Sequence, residues 1–433
     1  MLGGGNFTAQ NKILPGAYIN VVSASRAASV VGDRGVVALP LELDWGVENT
    51  VFSVTAEDFR KNALALFGYP AEHEKLRGLR DLFRGARMAR FYRLNGGGTA
   101  ASNTFATACV SGRRGDDLKI VITTNEASEG GTQLFDVATM MDTRVVDLQK
   151  AASTTKDLKP NSWVRWNADV PLALTAGTPL SGGSNGEVTA QSYQAAIDAL
   201  ESYSFNILGC PSQEAAIKGL FAAYTRRMRD ELGVKFQSVL HRYEQADYEG
   251  VVSVENNDTP ELVCWVCGAL AGCALNEDTS NLVYDGEFAV ETAYTQADLE
   301  AALQAGKYIL HRQNEDVRVL EDINTLVTYT DEKSADFANN QVVRVIDQTA
   351  NDIGALFNTK YLGRVANDDS GRVSLWSDIV SHHQLLQDMR AIQDFNPDSV
   401  VVGIGDSAKA VEVQDVVQPI LAMKQLYLTL LIS

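Results

Sequence analysis

At 433 residues with 45% apolar side chains, the chain is long enough to bury a core in each of two to four domains. Its 55 acidic residues against 37 basic ones leave a net charge of −18. That balance argues against a nucleic-acid groove or an anionic membrane surface, both of which are bound through clustered Lys and Arg, and the longest apolar run, 262–275, is too short to span a bilayer.

Residues 1–22 form a polar, Gly-rich head that turns at Pro15-Gly16 into a short strand over 17–22, carrying Tyr18, Ile19 and Val21. No basic-then-apolar export signal is read there. In 23–95 strand-like and helical pieces alternate: 35–39 is extended, Thr55 caps a helix reaching about Phe67, and 89–94 is a strand that stops at Gly96-Gly97-Gly98. Residues 96–182 favour β structure, with strands at 118–124, 134–138 and 145–148 between Gly, Asn and Asp turns. The glycines of 182–186 close this unit. Residues 183–333 change to helix, strand, helix, strand: helices begin at Thr189 and Ser212, and strands lie at 205–210, 236–240 and 250–254, the rhythm of an open α/β sheet.

In 334–418 a long helix with Val342, Val345, Ile346, Thr349, Ile353, Leu356 and Phe357 near helical spacing precedes a second helix over 374–392. Strands follow at 399–403 and 410–413, with Val400, Val402, Val411 and Val413 as their apolar positions. Residues 419–433 alternate Leu426, Leu428, Leu430 and Ile432 on one face of an extended chain with Gln425, Tyr427 and Thr429 on the other. A half-buried strand of this kind with no following segment to pair with must find its partner earlier in the chain or on another molecule. The predicted fold is a mixed α+β and α/β multidomain protein: an open α/β sheet core, an inserted β-rich domain, a helical plus small-sheet C-terminal domain, and extended arms at both ends.

Motifs for chemistry are sparse. Cys264-Trp265-Val266-Cys267 matches CxxC but falls within an apolar helix, with Thr259 as the expected cap and Pro260 as the first helical residue; a redox pair needs the helix N-terminus. All five cysteines read as free thiols. The 182–186 glycines lack the Gly-Lys-Ser/Thr ending of a phosphate loop, and 367–371 has oxygens but not the spacing of a calcium loop, so a tight turn is expected there. His382-His383, one turn after Asp378, point to different sides of a helix and read as helix surface or subunit contact, and residues 224–231 as a solvated face with local ion pairs. No catalytic, metal or cofactor site is expected.

The segments Asp316-Val317-Arg318-Val319-Leu320-Glu321-Asp322-Ile323-Asn324-Thr325-Leu326, Asn339-Asn340-Gln341-Val342-Val343-Arg344-Val345-Ile346-Asp347-Gln348, Thr359-Lys360-Tyr361-Leu362-Gly363 and Ser374-Leu375-Trp376-Ser377-Asp378-Ile379 resemble the tail sheath proteins of contractile phage tails and phage-tail-like bacteriocins. Pro15-Gly16-Ala17-Tyr18, Gly115-Asp116-Asp117-Leu118-Lys119-Ile120 and Asn281-Leu282-Val283-Tyr284-Asp285-Gly286 extend the resemblance over nearly the whole chain. Arg113-Arg114 stand where the family usually has an aromatic residue. The resemblance implies hexameric rings stacked around a tail tube, with arms at 17–22 and 426–432 adding strands to a neighbour's sheet formed by 400–403 and 410–413. It further implies contraction from a metastable extended state without nucleotide, partners that include the tail tube, baseplate and tail terminator, assembly in the host bacterial cytoplasm, and no nucleic acid or membrane partner. Asp378, His382, Asp388 and Arg390 are candidates for the tube contact. Two alternatives remain at this point: an α/β ligand-binding enzyme with a crevice at the strand ends between Ile207 and Val239, and another self-assembling tail component.

Overall fold

The computed structural model describes residues 31–126 and 133–432; Tyr18, Ile19 and Val21 of the expected N-terminal arm lie outside them. The described residues fall into two compact units, one of 31–38, 78–88 and 201–432, the other of 39–77 and 89–200.

The first unit is built on parallel strands. Val36–Leu41 enters it at its N-terminal end, where Val37 faces Ile207; Ile207–Cys210 pairs with Gln237–His241, that strand with Val251–Val254, and Val254 faces Tyr308. Every residue of Ile207–Cys210, Gln237–His241 and Val251–Val254 is buried, as expected for strands covered on both faces. The helix Leu262–Gly272 packs on the strands and, on its other side, touches the segment 82–85 at van der Waals limit: a Cβ on Gly268 would stand 2.3 Å from the Leu82 carbonyl, and one on Gly85 2.3 Å from the Gly268 carbonyl. Only glycine permits that approach. This helix begins at Leu262 rather than at Pro260, so Cys264 lies in its first turn. Burial nevertheless pushes the Cys264 thiol up to about 12 and Cys267 well above its usual value, which leaves both as inert core thiols.

The helix Ala215–Arg226 continues through a π-helical turn, Arg227–Glu231, that points Arg229 inward. The solvated face with local ion pairs expected at 224–231 holds for the exposed Arg226, Asp230 and Glu231 and for Arg227, which pairs with Glu201 at 2.8 Å, and is corrected at Arg229. Arg229 is buried, its guanidinium forks onto Asp347 at 2.5 and 2.8 Å and donates to the Phe236 carbonyl, and it is held protonated against its own desolvation by the Asp347 charge. Asp347 belongs to the helix Asn340–Leu356, whose polar residues are as buried as its apolar ones. Arg344 bonds Asp322 at 2.9 Å and Asn340 bonds Gln237 at 2.8 Å. Burial raises the Asp322 carboxyl, but the Arg344 charge and the donors from Arg344, Asn340 and the Thr279 amide outweigh it and hold the group below the usual carboxylate range.

In the second unit, the helix Ala56–Phe67 has the expected start and stop: Thr55 and Asp58 form a capping box, and Gly68 ends it at φ 76°. An antiparallel sheet runs in the order Arg144–Ala152, Phe135–Met141, Leu118–Thr124, Thr175–Pro179. Its alternation turns Leu118, Ile120, Ile122, Phe135, Val137 and Met141 into a core that includes Trp163, stacked on Trp45 at 5.6 Å. The two glycine clusters lie against each other, because a Cβ on Gly98 would stand 1.9 Å from the Ser184 carbonyl and one on Gly186 2.1 Å from the Gly96 carbonyl. Arg114 is buried with its guanidinium 4.6 Å from the Tyr69 ring centroid and bonded to Asp117, Asp142 and the Gly68 carbonyl, a cation seated on an aromatic face.

Candidate functional site

The C-terminal part of the first unit presents the surfaces on which the sequence places linkage. Asp368 accepts from the Gly371 amide at 2.8 Å and starts the helix Asp369–Asp388; the oxygens of 367–371 serve as a helix cap, not as a free turn. A short antiparallel hairpin follows, Val401–Ile404 with Val411–Gln414, in which Val402 faces Val413 and Ile404 faces Val411. Val402, Val411 and Val413 are half-buried against a cluster of Tyr361, Leu375, Ile379, Val380 and Val400. Val400 is buried just ahead of the first strand, while Val401 and Ile404 face outward at 54% and 60% exposure. Among the described residues no third strand joins this pair, so each strand keeps one edge of unpaired N–H and C=O groups.

The segment after the hairpin is docked and then leaves. Gln393 donates to the Gln418 carbonyl at 2.9 Å, Ile420 to the Ala391 carbonyl at 3.0 Å, and the Ala422 amide to Gln341 Oε1 at 3.0 Å. Lys424 closes the docked stretch by pairing with Asp278 at 3.1 Å and Glu321 at 3.3 Å. Past Lys424 the contact found among the described residues is local, Tyr427 Oη to Gln425 Oε1 at 2.8 Å. The alternating residues Leu426, Leu428, Leu430 and Ile432 are 86%, 69%, 79% and 99% exposed. Residues 425–432 are not a strand in the single subunit, which differs from the expectation for a physical reason: a strand needs a ladder partner, and among the described residues none pairs with this backbone. The anchors Gln341 and Lys424 were missed from sequence. Lys424 had a signal, since it is the one charged residue of 419–433.

The four residues suggested for tube contact separate. Asp388 and Arg390 are exposed, at and just beyond the end of the helix Asp369–Asp388. Asp378 is partly covered and engaged by Lys360 and by the Tyr361 hydroxyl, each at 2.5 Å, and makes no pair with a histidine. His382 is corrected outright: it is buried, and so is His383, because the helix lies flat on Asn340–Leu356. Their partners, unforeseen from sequence, are Asp352 for His382 and Asp415 for His383.

At the carboxyl end of the strand Gln237–His241, on the side where an α/β enzyme holds its ligand, Lys218 donates to the His241 carbonyl at 2.9 Å and the Arg242 carbonyl at 3.2 Å. A cavity of about 510 Å³ lies elsewhere in this unit, lined by Asp81, Arg84, Trp265, Asp278 and Asp285 among others. Among the described residues there is no cluster of three or more metal-ligating side chains, and no helix is long and apolar enough to cross a membrane.

Four family models match in succession: the tail sheath protein Gp18 domain III N-terminal region over 34–94, the phage tail sheath protein beta-sandwich domain over 95–185, the phage tail sheath protein central domain over 186–325 and the phage tail sheath C-terminal domain over 332–433. The sheath tail protein of Desulfitobacterium hafniense is 34% identical, with 93% of this chain and 96% of that one covered and a TM-score of 0.79. The phage-like element PBSX protein XkdK of Bacillus subtilis is 28% identical over 98% of this chain and 99% of its own length. The helical sheath of the anti-feeding prophage in its contracted state shares the fold, at 13% identity and a TM-score of 0.56 over 97% of this chain and 99% of that one.

Proposed function

Because the chain belongs to the phage tail sheath family and is a structural subunit of a contractile tail sheath, we propose that it polymerises as hexameric rings stacked around a tail tube and is linked to its neighbours by donated strands. One observation carries this reading: a segment with Leu426, Leu428, Leu430 and Ile432 on one face, anchored at Lys424 and joined to no strand among the described residues, in the same subunit as a two-stranded sheet that no third described strand joins. Residues 426–432 add to a neighbour's sheet built on 401–404 and 411–414, and 17–22 supply the second strand by the same logic. Backbone hydrogen bonds with alternate apolar pockets hold the mesh while subunit bodies rotate as rigid units.

Contraction is then the release of free energy stored at assembly, driving a tube through an envelope; the subunit is not an enzyme and spends no nucleotide. Baseplate and tail terminator proteins bound the stack, and assembly takes place in the host bacterial cytoplasm before the sheath becomes part of a virion or phage-tail-like particle. Asp388 and Arg390 offer the exposed polar groups for a weak, releasable tube contact. Negative-stain imaging of the purified protein tests the core of the reading. Striated hollow cylinders formed without nucleotide and in the presence of a chelator are expected; a protein that stays monomeric at high concentration, or assembles only with nucleotide turnover, overturns it.

A further inference from the structure

Both ends of the described chain lead to one cavity, the space of about 510 Å³ beside the helix Leu262–Gly272. At the C-terminal end Lys424 Nζ stands 3.1 Å from Asp278, which lines it. At the other end Val31 packs with Val417 on the cluster that holds Leu275, a residue between the lining side chains of Cys273 and Glu277, and Arg34 is within electrostatic reach of Cys273. The chain ahead of Val31 therefore starts beside this cavity.

The cavity lacks positive charge. Asp81, Glu277, Asp278 and Asp285 line it, against one lining guanidinium, that of Arg84, which bonds Asp81 at 3.4 Å and Asp285 at 3.3 Å. Even with Lys424 included, four carboxylates face two cations. The Glu277 side chain is exposed and makes no hydrogen bond or ion pair among the described residues. Burial raises the Asp81 carboxyl in spite of the Glu287 amide and the Arg84 charge. Trp265, Leu282 and Val283 give the cavity an apolar side, with Trp265 fixed by Nε1 donating to Asp285 at 2.8 Å. Space of this size, with an aromatic wall and carboxylates in excess, fits a long cationic side chain that lays its stem on the wall and its head on the carboxylates.

The sequence holds such a side chain within reach. Residues 1–30 contain no Asp or Glu in a chain of net charge −18, and Arg26 is the one charged residue between Lys12 and Asp33. It stands in Ser23-Ala24-Ser25-Arg26-Ala27-Ala28-Ser29, where every neighbour is Ala or Ser, so the backbone can lie close to a surface while one long side chain reaches in. Five residues of extended chain from Val31 to Arg26 span up to about 17 Å. We propose that Arg26 seats in this cavity of its own subunit, against Glu277 and Asp285 with its stem along Trp265, and so anchors the root of the N-terminal arm as Lys424 anchors that of the C-terminal one. The seat goes beyond strand donation and stands whether or not 17–22 adds to a neighbour's sheet.

Trypsin cuts after Lys12 and after Arg26, and so reads the seat on the full-length chain, at a concentration where sedimentation shows monomers. The rate at each bond is divided by its rate in the free peptide 1–30 in the same buffer. Cleavage after Arg26 should be on the order of tenfold slower than after Lys12. Glu277→Gln, at an exposed position, should speed the cut after Arg26 severalfold and leave that after Lys12 unchanged. Salt of about 1 M, at which the Debye length falls to about 3 Å, should do the same. Equal normalised rates at the two bonds overturn the proposal. Protection of Arg26 that Glu277→Gln leaves in place overturns it as well, since the segment then lies on another surface, and so does protection found only in assembled protein, which gives the cavity a neighbouring copy's arginine.

Discussion

Deleting residues 425–433 separates folding from linkage. In the single subunit Leu426, Leu428, Leu430 and Ile432 keep only about a third or less of their surface covered. Scaled from about 1.5–3 kcal/mol for full burial of such a side chain, their loss costs the isolated fold about 1–2 kcal/mol in total. Seated in a neighbour's sheet, the same four side chains would contribute about 5–10 kcal/mol, with backbone hydrogen bonds adding about 0.5–1.5 kcal/mol each. The truncated subunit should therefore melt within a few degrees of the intact one by calorimetry, keep its far-UV spectrum, and fail to sediment as polymer. Leu428→Asp should reproduce the assembly defect, since it removes one buried leucine and places a charge in its pocket, while Thr429→Ser on the opposite face should assemble normally. Truncated protein that unfolds or aggregates at once, or that forms cylinders as readily as the intact chain, would refute the reasoning: the first places the segment within its own subunit's core, the second makes it irrelevant to linkage.

Asp322→Asn should destabilise the subunit at neutral pH by about 3–5 kcal/mol, because Arg344 is left buried without its counter-charge. The depressed carboxyl makes its contribution above the unfolded value near ~3.9 and loses it as pH falls through the lower folded value, so urea titrations should show the gap narrowing in acid; a gap independent of pH speaks against the pair. Gly268→Ala should cost about 1–3 kcal/mol in the same assay, since its Cβ meets the rigid Leu82 carbonyl, and a neutral result would mean the helix spacing is wrong. Reversing Asp388 and Arg390 together, both exposed, should weaken co-assembly with tubes and change its salt dependence in pelleting assays while leaving the melting temperature in place; unaltered pelleting removes this helix end as the tube contact.

Local rules carried the sequence a long way. The capping box at Thr55-Asp58, the alternation at 118–124 and the largely apolar strands at 207–210 and 251–254 are written in short-range patterns, because caps and strand faces depend on neighbours two to four residues away. The alternation of 426–432 is equally legible, and the fold leaves its apolar positions exposed. What the sequence could not show is which polar residues turn inward. Arg229 looked solvated until a π turn aimed it at Asp347, 118 positions away, and His382 looked like surface until its helix lay against Asp352. Burial of a charged or polar group is decided by a partner that tertiary packing supplies, and no local spacing encodes that partner. The same holds for the C-terminal segment: alternation marked 426–432 as one apolar face of an extended chain, and only the docking of Ala422 on Gln341 and of Lys424 on Asp278 and Glu321 decided where it leaves the body.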